Sequence, residues 1–198
     1  MKIKFALLLC IAAALASCKK DQNKKPDPTC DSSNTKFNQL FNLQLSLPSM
    51  NDSITIDSYT HQYSFKVSND EVLCQIGYQA YPGMDTIPYT FELFDSTTNN
   101  LVYSGNHLLS SLSTTYVSIV PVNLIAGHKY TISRIQPIDN GNPANLTGRL
   151  ALIGFQVVNQ LSFPINNNGI TILSSDFVGG ISGSHENCAL PYIDLVFQ

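Results

Sequence analysis

Apolar and polar residues alternate with a period of two along most of the chain from Phe37 onward. The clearest stretch is 59–67, where Tyr, His, Tyr, Phe and Val alternate with polar residues, and the stretches 41–47, 72–78 and 89–93 show the same pattern. Side chains along a β-strand point alternately to its two faces. The pattern therefore predicts strands that each bury one face.

The rest of the chain extends this prediction. Further strands are predicted at residues 101–104, 115–120, 129–136, 149–158, 170–174 and 190–198. Turn-forming residues separate them at Pro82-Gly83, Thr98-Asn99-Asn100, Ala126-Gly127, Asn140-Gly141-Asn142 and Asn166-Asn167-Asn168-Gly169. Residues 106–112 alone favour a helix, and a short one. About ten short strands predict an all-β fold, namely a two-sheet antiparallel β-sandwich.

The first 17 residues have a different character. Lys2 and Lys4 precede an uninterrupted apolar run from Phe5 to Ala16. A run of this length is too short to cross a bilayer, which takes about 20 residues. Its length and its basic flank are those of a secretory signal peptide, which we expect over residues 1–17.

The residues Leu15-Ala16-Ser17-Cys18 resemble the lipobox of bacterial lipoproteins. The resemblance implies that Cys18 receives a diacylglyceryl group, becomes the first residue of the mature protein and is acylated on its amino group. Two or more acyl chains hold a protein stably on a membrane. The alternative is an ordinary signal peptide with a chance cysteine near its cleavage site.

Residues 18–35 are predicted to form a lipidated flexible tether, because 19–35 contain no large apolar side chain. The β-sandwich domain is then expected over residues 36–198. The tether opens with Cys-Lys-Lys-Asp, which resembles lipoproteins of the Bacteroidota. In that group a short charged run after the cysteine directs export to the outer leaflet. We therefore expect an outer-membrane lipoprotein, on the cell surface in preference to the periplasmic face.

The charge of the body disfavours one class of partner. From Asp27 onward the chain carries 13 acidic and 5 basic residues, a formal charge of −8 that is spread without blocks. Nucleic-acid binding needs a clustered positive surface to neutralise phosphates. No nucleic-acid partner is expected.

Three segments look like the jelly-roll domains of many Bacteroidota lipoproteins. They are Ile76–Gln79 leading into Tyr89–Asp95, the turn and strand of Val122–Ile132, and the closing Leu190–Phe197. The pattern is similar to a family of domains of unknown function, and more distantly to galactose-binding-like sandwiches. Over roughly residues 55–198 this resemblance implies a jelly-roll-like fold and a non-catalytic binding or adhesion module. It transfers no functional residue to this chain.

Beyond Cys18 the mature chain has three cysteines, Cys30, Cys74 and Cys188. The cell envelope permits disulfides. Cys74 shares the apolar face of its predicted strand, so we expect it to be a buried, inert thiol. That leaves Cys30 and Cys188 as the favoured disulfide, although three cysteines allow three single bridges.

The sequence holds neither a serine elbow nor the ligand spacing of a zinc site, although its 14 acidic residues leave open a pair of carboxylates such as glycosidases use. Gly180-Ile181-Ser182-Gly183-Ser184 lacks the last glycine of a serine elbow and has no helix predicted after it. His185-Glu186-Asn187-Cys188 offers zinc-ligand types without a second cluster, so a polar loop is the preferred interpretation. We expect a protein that is not an enzyme and that uses no cofactor or metal.

Two sets of residues are candidates for other roles. Tyr81, Phe94, Tyr103 and Tyr116 are candidate platforms for stacking a ligand such as a sugar ring, because each lies beside a turn or out of phase with a core stripe. The alternative is that these aromatic residues cover the edge of the core. Ser53, Thr86 and Ser96 each follow an aspartate in triplets that resemble the O-glycosylation motif of the Bacteroidota.

These observations favour a lipid-anchored binding or adhesion module for a glycan or protein ligand. The alternative is a structural accessory subunit of an envelope protein complex that binds no small ligand.

Overall fold

The computed structural model describes residues 29–56, 59–136, 147–153, 161–179 and 185–198. This part of the chain contains one α-helix, α1 (Lys36–Leu45), and 13 strands. The strands are β1 (Met50–Ile56), β2 (Thr60–Val67), β3 (Glu71–Tyr78), β4 (Tyr89–Asp95), β5 (Asn100–His107), β6 (Thr115–Leu124), β7 (Tyr130–Ile135), β8 (Thr147–Ile153), β9 (Ile165–Asn167), β10 (Ile170–Val178), β11 (His185–Glu186), β12 (Ala189–Pro191) and β13 (Asp194–Phe197). No helix in these ranges is long and apolar enough to cross a membrane.

The strands form three antiparallel sheets. The largest has the order β11-β10-β2-β7-β4-β5, with β9 also paired to β10. A second sheet has the order β13-β3-β6, and a third the order β1-β8-β12. The sheets pack against one another, so the predicted all-β sandwich is confirmed, with its strands divided among three sheets where two were expected.

The core is rich in aromatic side chains that face one another between the sheets. Tyr78 of β3 lies with its ring centroid 5.4 Å from Tyr89 and 5.6 Å from Phe91, both on β4. Every second residue of β4 is buried, as the alternation predicts for a strand with one face on the core. Edge-to-face contacts of this kind add to the free energy gained from burying the rings.

The predicted strand over 41–47 is wrong, because this segment belongs largely to helix α1. Phe37, Leu40, Phe41 and Gln44 are buried on one face of the helix, at the spacing of a 3.6-residue period. Leu43, which the alternating pattern assigned to the core, is 47% exposed. The predicted helix over 106–112 is also wrong, since β5 extends to His107 and a loop follows it.

The structure differs from the predicted strands in two further places. The single strand predicted over 190–198 is two strands, β12 and β13, which pair in different sheets. Strand β1 was not predicted, although it forms seven residue pairs with β8. Residues 154–158 of the predicted strand 149–158, and the turn at 140–142, lie outside the described residues, as do Cys18 and the predicted signal peptide.

The predicted disulfide is also wrong. Cys30 bonds to Cys74, and Cys188 is a buried free thiol. Cys74 points from β3 to the N-terminal arm, so the thiol expected to be inert is the one that anchors this arm. Thr35 is buried and caps α1 by accepting a hydrogen bond from the amide of Asn38. Cys30 and Thr35 are therefore both bonded to strands of the sandwich.

Candidate functional site

An open groove lies between the third sheet and the loop that joins β5 to β6. We name it the β1 groove, and its volume is about 690 Å³. Its lining residues are Asp52, Ser53, Ile54, Gln79, Leu112, Ser113, Thr114 and Arg149. They come from four separate parts of the chain, so folding alone brings them together.

The floor of the β1 groove is held by an ion pair between neighbouring strands. Arg149 of β8 donates from Nε and Nη2 to both carboxylate oxygens of Asp52 on β1, at 2.7–3.1 Å. The Arg149 guanidinium also lies over the ring of Tyr192, 4.3 Å from its centroid, and 5.3 Å from the Phe41 centroid. The hydrogen bonds to Asp52 raise the pKa of Arg149, so its charge is fixed. This geometry gives the groove a rigid polar floor.

Two apolar side chains stand at the same groove and are open to solvent. Leu112 is 90% exposed and Ile54 is 50% exposed. Hydroxyl and amide groups of Ser53, Ser113, Thr114 and Gln79 complete the lining. A surface that combines exposed aliphatic groups with fixed polar groups is typical of a binding site.

A buried carboxylate network is connected to the β1 groove through Tyr192, on whose ring Arg149 lies. Asp194 of β13 is fully buried and accepts hydrogen bonds from Thr35 Oγ1 at 2.6 Å and from the hydroxyl of Tyr116 at 2.8 Å. The hydroxyl of Tyr192 lies 3.4 Å from the same carboxylate. Burial raises the pKa of Asp194, and the hydrogen bonds from Thr35 and Tyr116 oppose that rise. This network joins the cap of α1, strand β6 and the segment that carries Tyr192.

Gly77 is required by the same network. A Cβ atom built at Gly77 would lie 2.5 Å from Cε1 of Tyr116, which is its partner across β3 and β6. The close approach lets the Tyr116 ring lie flat on the sheet with its hydroxyl reaching Asp194. Tyr116 is therefore tied into the structure and is not an open stacking platform.

The other three predicted stacking residues do not form a common face. Phe94 and Tyr103 lie on opposite faces of the largest sheet, because Tyr103 pairs with the buried Leu93 that precedes Phe94. Tyr103 packs on the core and its hydroxyl lies 2.5 Å from Nε2 of His107. Tyr81 also packs against the core. All four residues are half-buried, as the alternative of edge-covering aromatics requires.

The three predicted O-glycosylation residues lie in different surroundings. Thr86 is exposed in the connection between β3 and β4. Ser96 is exposed at the end of β4, with its hydroxyl 3.3 Å from that of Thr131. Ser53 is half-buried and lines the β1 groove. Thr86 and Ser96 are therefore exposed to solvent, whereas Ser53 is half-buried.

A second, smaller pocket of about 220 Å³ lies beside β10. Its lining residues are Gln62, Tyr63, Ser64, Ser174, Ser175, Asp176, Glu186 and Asn187. Among the residues that the structure describes, no group of three or more His, Cys, Asp or Glu side chains is placed to hold a metal ion. His185 and Cys188 meet only through a weak contact of 3.9 Å between the Cys188 thiol and the His185 carbonyl.

No protein-family model matches the chain, and no curated protein matches it. The site is therefore defined by its geometry alone. The sequence pattern pointed to Ser53 and Tyr116 for other reasons, and missed Asp52, Arg149, Leu112 and Asp194. Of the missed residues, Leu112 alone could have been found from the sequence, because it is a large apolar residue within a run of serines and threonines.

Proposed function

We propose that this protein is a lipid-anchored lipoprotein of the bacterial outer membrane that acts as a non-catalytic binding module, and that its β1 groove holds an extended segment of another protein. The observation that carries the proposal is the exposed pair Leu112 and Ile54 beside the fixed Asp52–Arg149 ion pair. Apolar anchors next to oriented polar groups are what a polypeptide ligand uses for affinity and register.

The same surroundings favour a protein ligand over a glycan. Sugar rings are normally stacked on exposed aromatic rings, and in the described part of the chain every Tyr and Phe is buried or half-buried. The groove offers aliphatic side chains in place of such platforms. An apolar side chain of a partner can be buried against Leu112 and Ile54, which a sugar hydroxyl surface does poorly.

Strand β1 adds a second means of recognition. Among the described strands, β1 pairs with β8 on one side only and so forms an edge of its sheet. An edge strand presents unpaired backbone amide and carbonyl groups, to which an extended segment can add as a further strand. Main-chain hydrogen bonds would then supply affinity, and Leu112 and Ile54 would select apolar side chains of the added segment.

Photo-crosslinking in living cells of the native host tests this function. We expect a photoreactive benzoylphenylalanine at exposed Ser113 to give a discrete adduct with one protein. Leu112→Asp should lower the yield about tenfold or more, because loss of a buried leucine contact and burial of a charge together cost over about 1.4 kcal/mol. The adducts are measured by immunoblot and mass spectrometry.

Two matched controls make this result specific. Val120 is 80% exposed on β6 and lies outside the groove lining, so Val120→Asp should leave the adduct unchanged. The photoreactive residue at exposed Ser104 of β5 should give no such adduct. Lack of an adduct at Ser113, or an adduct with a glycan, would contradict the proposal. Adducts with one partner at both positions, insensitive to Leu112→Asp, would favour the accessory-subunit alternative.

The membrane anchor is tested at Cys18. We expect the wild-type protein to stay in the membrane fraction through high-salt and alkaline washes and to be released by detergent, because acyl chains hold it there. Cys18→Ala should move the protein to the soluble fraction, as measured by immunoblot of fractionated cells. Cys188→Ala is the control and should remain with the membrane. Retention of the Cys18→Ala protein in the membrane would refute lipid anchoring at this residue.

A further inference from the structure

A positively charged side chain lies inside the sandwich, away from the β1 groove. Arg134 of β7 is fully buried, and its guanidinium carbon lies 5.7 Å from the ring centroid of Tyr78 and 5.6 Å from that of Tyr89. Its Nη1 donates to Oε1 of Gln136 at 3.3 Å. Nε and Nη2 have no hydrogen-bond partner in the described part of the chain. None of the three ion pairs found there includes Arg134.

Two further polar groups lie at the same place. His61 sits directly opposite Arg134 across β2 and β7, on the buried face, and its Nδ1 has no partner within the described ranges. The hydroxyl of Tyr78 lies beside the Arg134 guanidinium, whose interaction with it lowers the Tyr78 pKa, and has no other partner in the described part of the chain. Burial lowers the pKa of His61, and the Arg134 charge lowers it further, so His61 is neutral. Burial raises the pKa of Tyr78 to about 12, so the phenol keeps its proton.

The chemistry of these groups defines what would satisfy them. The guanidinium and the phenol offer N–H and O–H donors, and a neutral histidine offers one more when Nδ1 carries the proton. The cluster has one positive charge and no negative charge among the described side chains. A water molecule could accept these hydrogen bonds but would leave the charge unpaired in a low-dielectric interior, which is strongly unfavourable. A single small anion meets both requirements.

We propose that the cluster of Arg134, Tyr78 and His61 is a binding site for one small monovalent anion, of which chloride is the abundant physiological example. The anion accepts hydrogen bonds from the Arg134 Nε and Nη2 groups and from the Tyr78 hydroxyl. Its single negative charge balances the single positive charge of the cluster. Because these side chains come from β2, β3 and β7, the anion joins the largest sheet to the sheet of β13, β3 and β6.

The test is the thermal stability of the purified full-length protein as chloride replaces gluconate at constant ionic strength. An ion that binds only the folded state stabilises it by mass action. A tenfold excess of free chloride over its dissociation constant should raise the melting temperature by about 3–6 °C. In crystals grown with bromide, an anomalous peak should lie within hydrogen-bond distance of Arg134 Nη2. A melting temperature independent of chloride, with no peak beside Arg134, would overturn the proposal.

Conservative variants separate this site from general salt effects. Tyr78→Phe keeps the ring and removes one donor, so the chloride dependence should shift to about tenfold higher concentration, as expected for one lost hydrogen bond to an ion. Tyr130→Phe makes the same change at another buried tyrosine, whose hydroxyl contacts the amide of Ile125, and should leave the dependence unchanged. Equal chloride dependence in wild type and Tyr78→Phe would contradict the assignment.

A carboxylate of the chain itself is the rival source of the negative charge. Asp139 is the only acidic residue in the range 137–146, which follows Gln136 directly. If Asp139 supplied the negative charge, Asp139→Asn would destabilise the protein strongly, and the melting temperature of the wild type would not depend on chloride. That result would overturn the proposal. We expect instead that Asp139→Asn keeps the wild-type chloride response.

Discussion

Replacing Cys30 with alanine is expected to lower the free energy of unfolding by about 4 kcal/mol, measured by chemical denaturation of the full-length protein. The Cys30–Cys74 bond closes a loop with a sequence separation of 44 residues. In the chain-entropy description, a cross-link of that span removes about 4 kcal/mol of freedom from the unfolded chain. A reducing agent should bring the wild-type protein to the stability of the Cys30→Ala variant.

Cys188→Ala is the matched control for the disulfide. It removes one buried thiol and no bond, so we expect a loss of only about 1 kcal/mol, unaffected by the reducing agent. Equally severe losses in Cys30→Ala and Cys188→Ala, both reproduced in the wild type by the reducing agent, would instead restore the pairing of Cys30 with Cys188 that the sequence favoured.

Replacing Asp194 with alanine should lower the free energy of unfolding by about 2–4 kcal/mol at neutral pH. The hydroxyls of Thr35, Tyr116 and Tyr192 would lose their common acceptor inside the protein, and unpartnered buried donors are costly. Asp194→Asn keeps an acceptor oxygen of nearly the same shape. It should therefore cost only about 1 kcal/mol, in the same denaturation measurement.

The pH dependence of stability distinguishes a buried carboxylate from a simple packing effect. The pKa of Asp194 is raised in the folded state above its ordinary value of 3.8, so the folded protein binds this proton more tightly than the unfolded chain. Its contribution is fully present below about pH 4 and is lost as pH rises through the folded-state pKa. Relative to Asp194→Asn, the wild type should thus lose stability across that window. Parallel pH profiles of the two proteins would contradict the raised pKa.

The strands of the sandwich were predictable because their signal is local. In β4 every second residue is buried, so the alternation along this one strand already defines the buried face. The same reasoning found β2 and β3. Nothing beyond the pleated geometry of an extended chain is needed for such a prediction.

Helix α1 was not predictable by the same rule, because its sequence fits two periodicities. Phe41, Leu43 and Leu45 match a strand, whereas Phe37, Leu40 and Phe41 match a helix. The choice is made by distant contacts. Thr35, the helix cap, also donates a hydrogen bond to Asp194, which lies 159 residues away along the chain. Tertiary contacts of this kind regularly override local preference.

The candidate site was even less accessible from sequence. Asp52 and Arg149 are 97 residues apart, and their ion pair depends on the register of β1 against β8. Strand β1 itself has weak alternation, so neither this strand nor its pairing with β8 could be assigned. The pairing of the cysteines could not be predicted for a similar reason, because cysteine spacing does not show which strand the N-terminal arm approaches.

The position of the disulfide has a mechanical consequence. Any pull applied to the chain ahead of Cys30 passes through the covalent bond to Cys74 and enters β3 directly, so α1 is bypassed. Strand β3 is the central strand between β13 and β6, and both neighbours hold it in antiparallel ladders. A load that enters through the N-terminal arm is thus carried by two ladders sheared together, while the capped helix α1 stays unloaded.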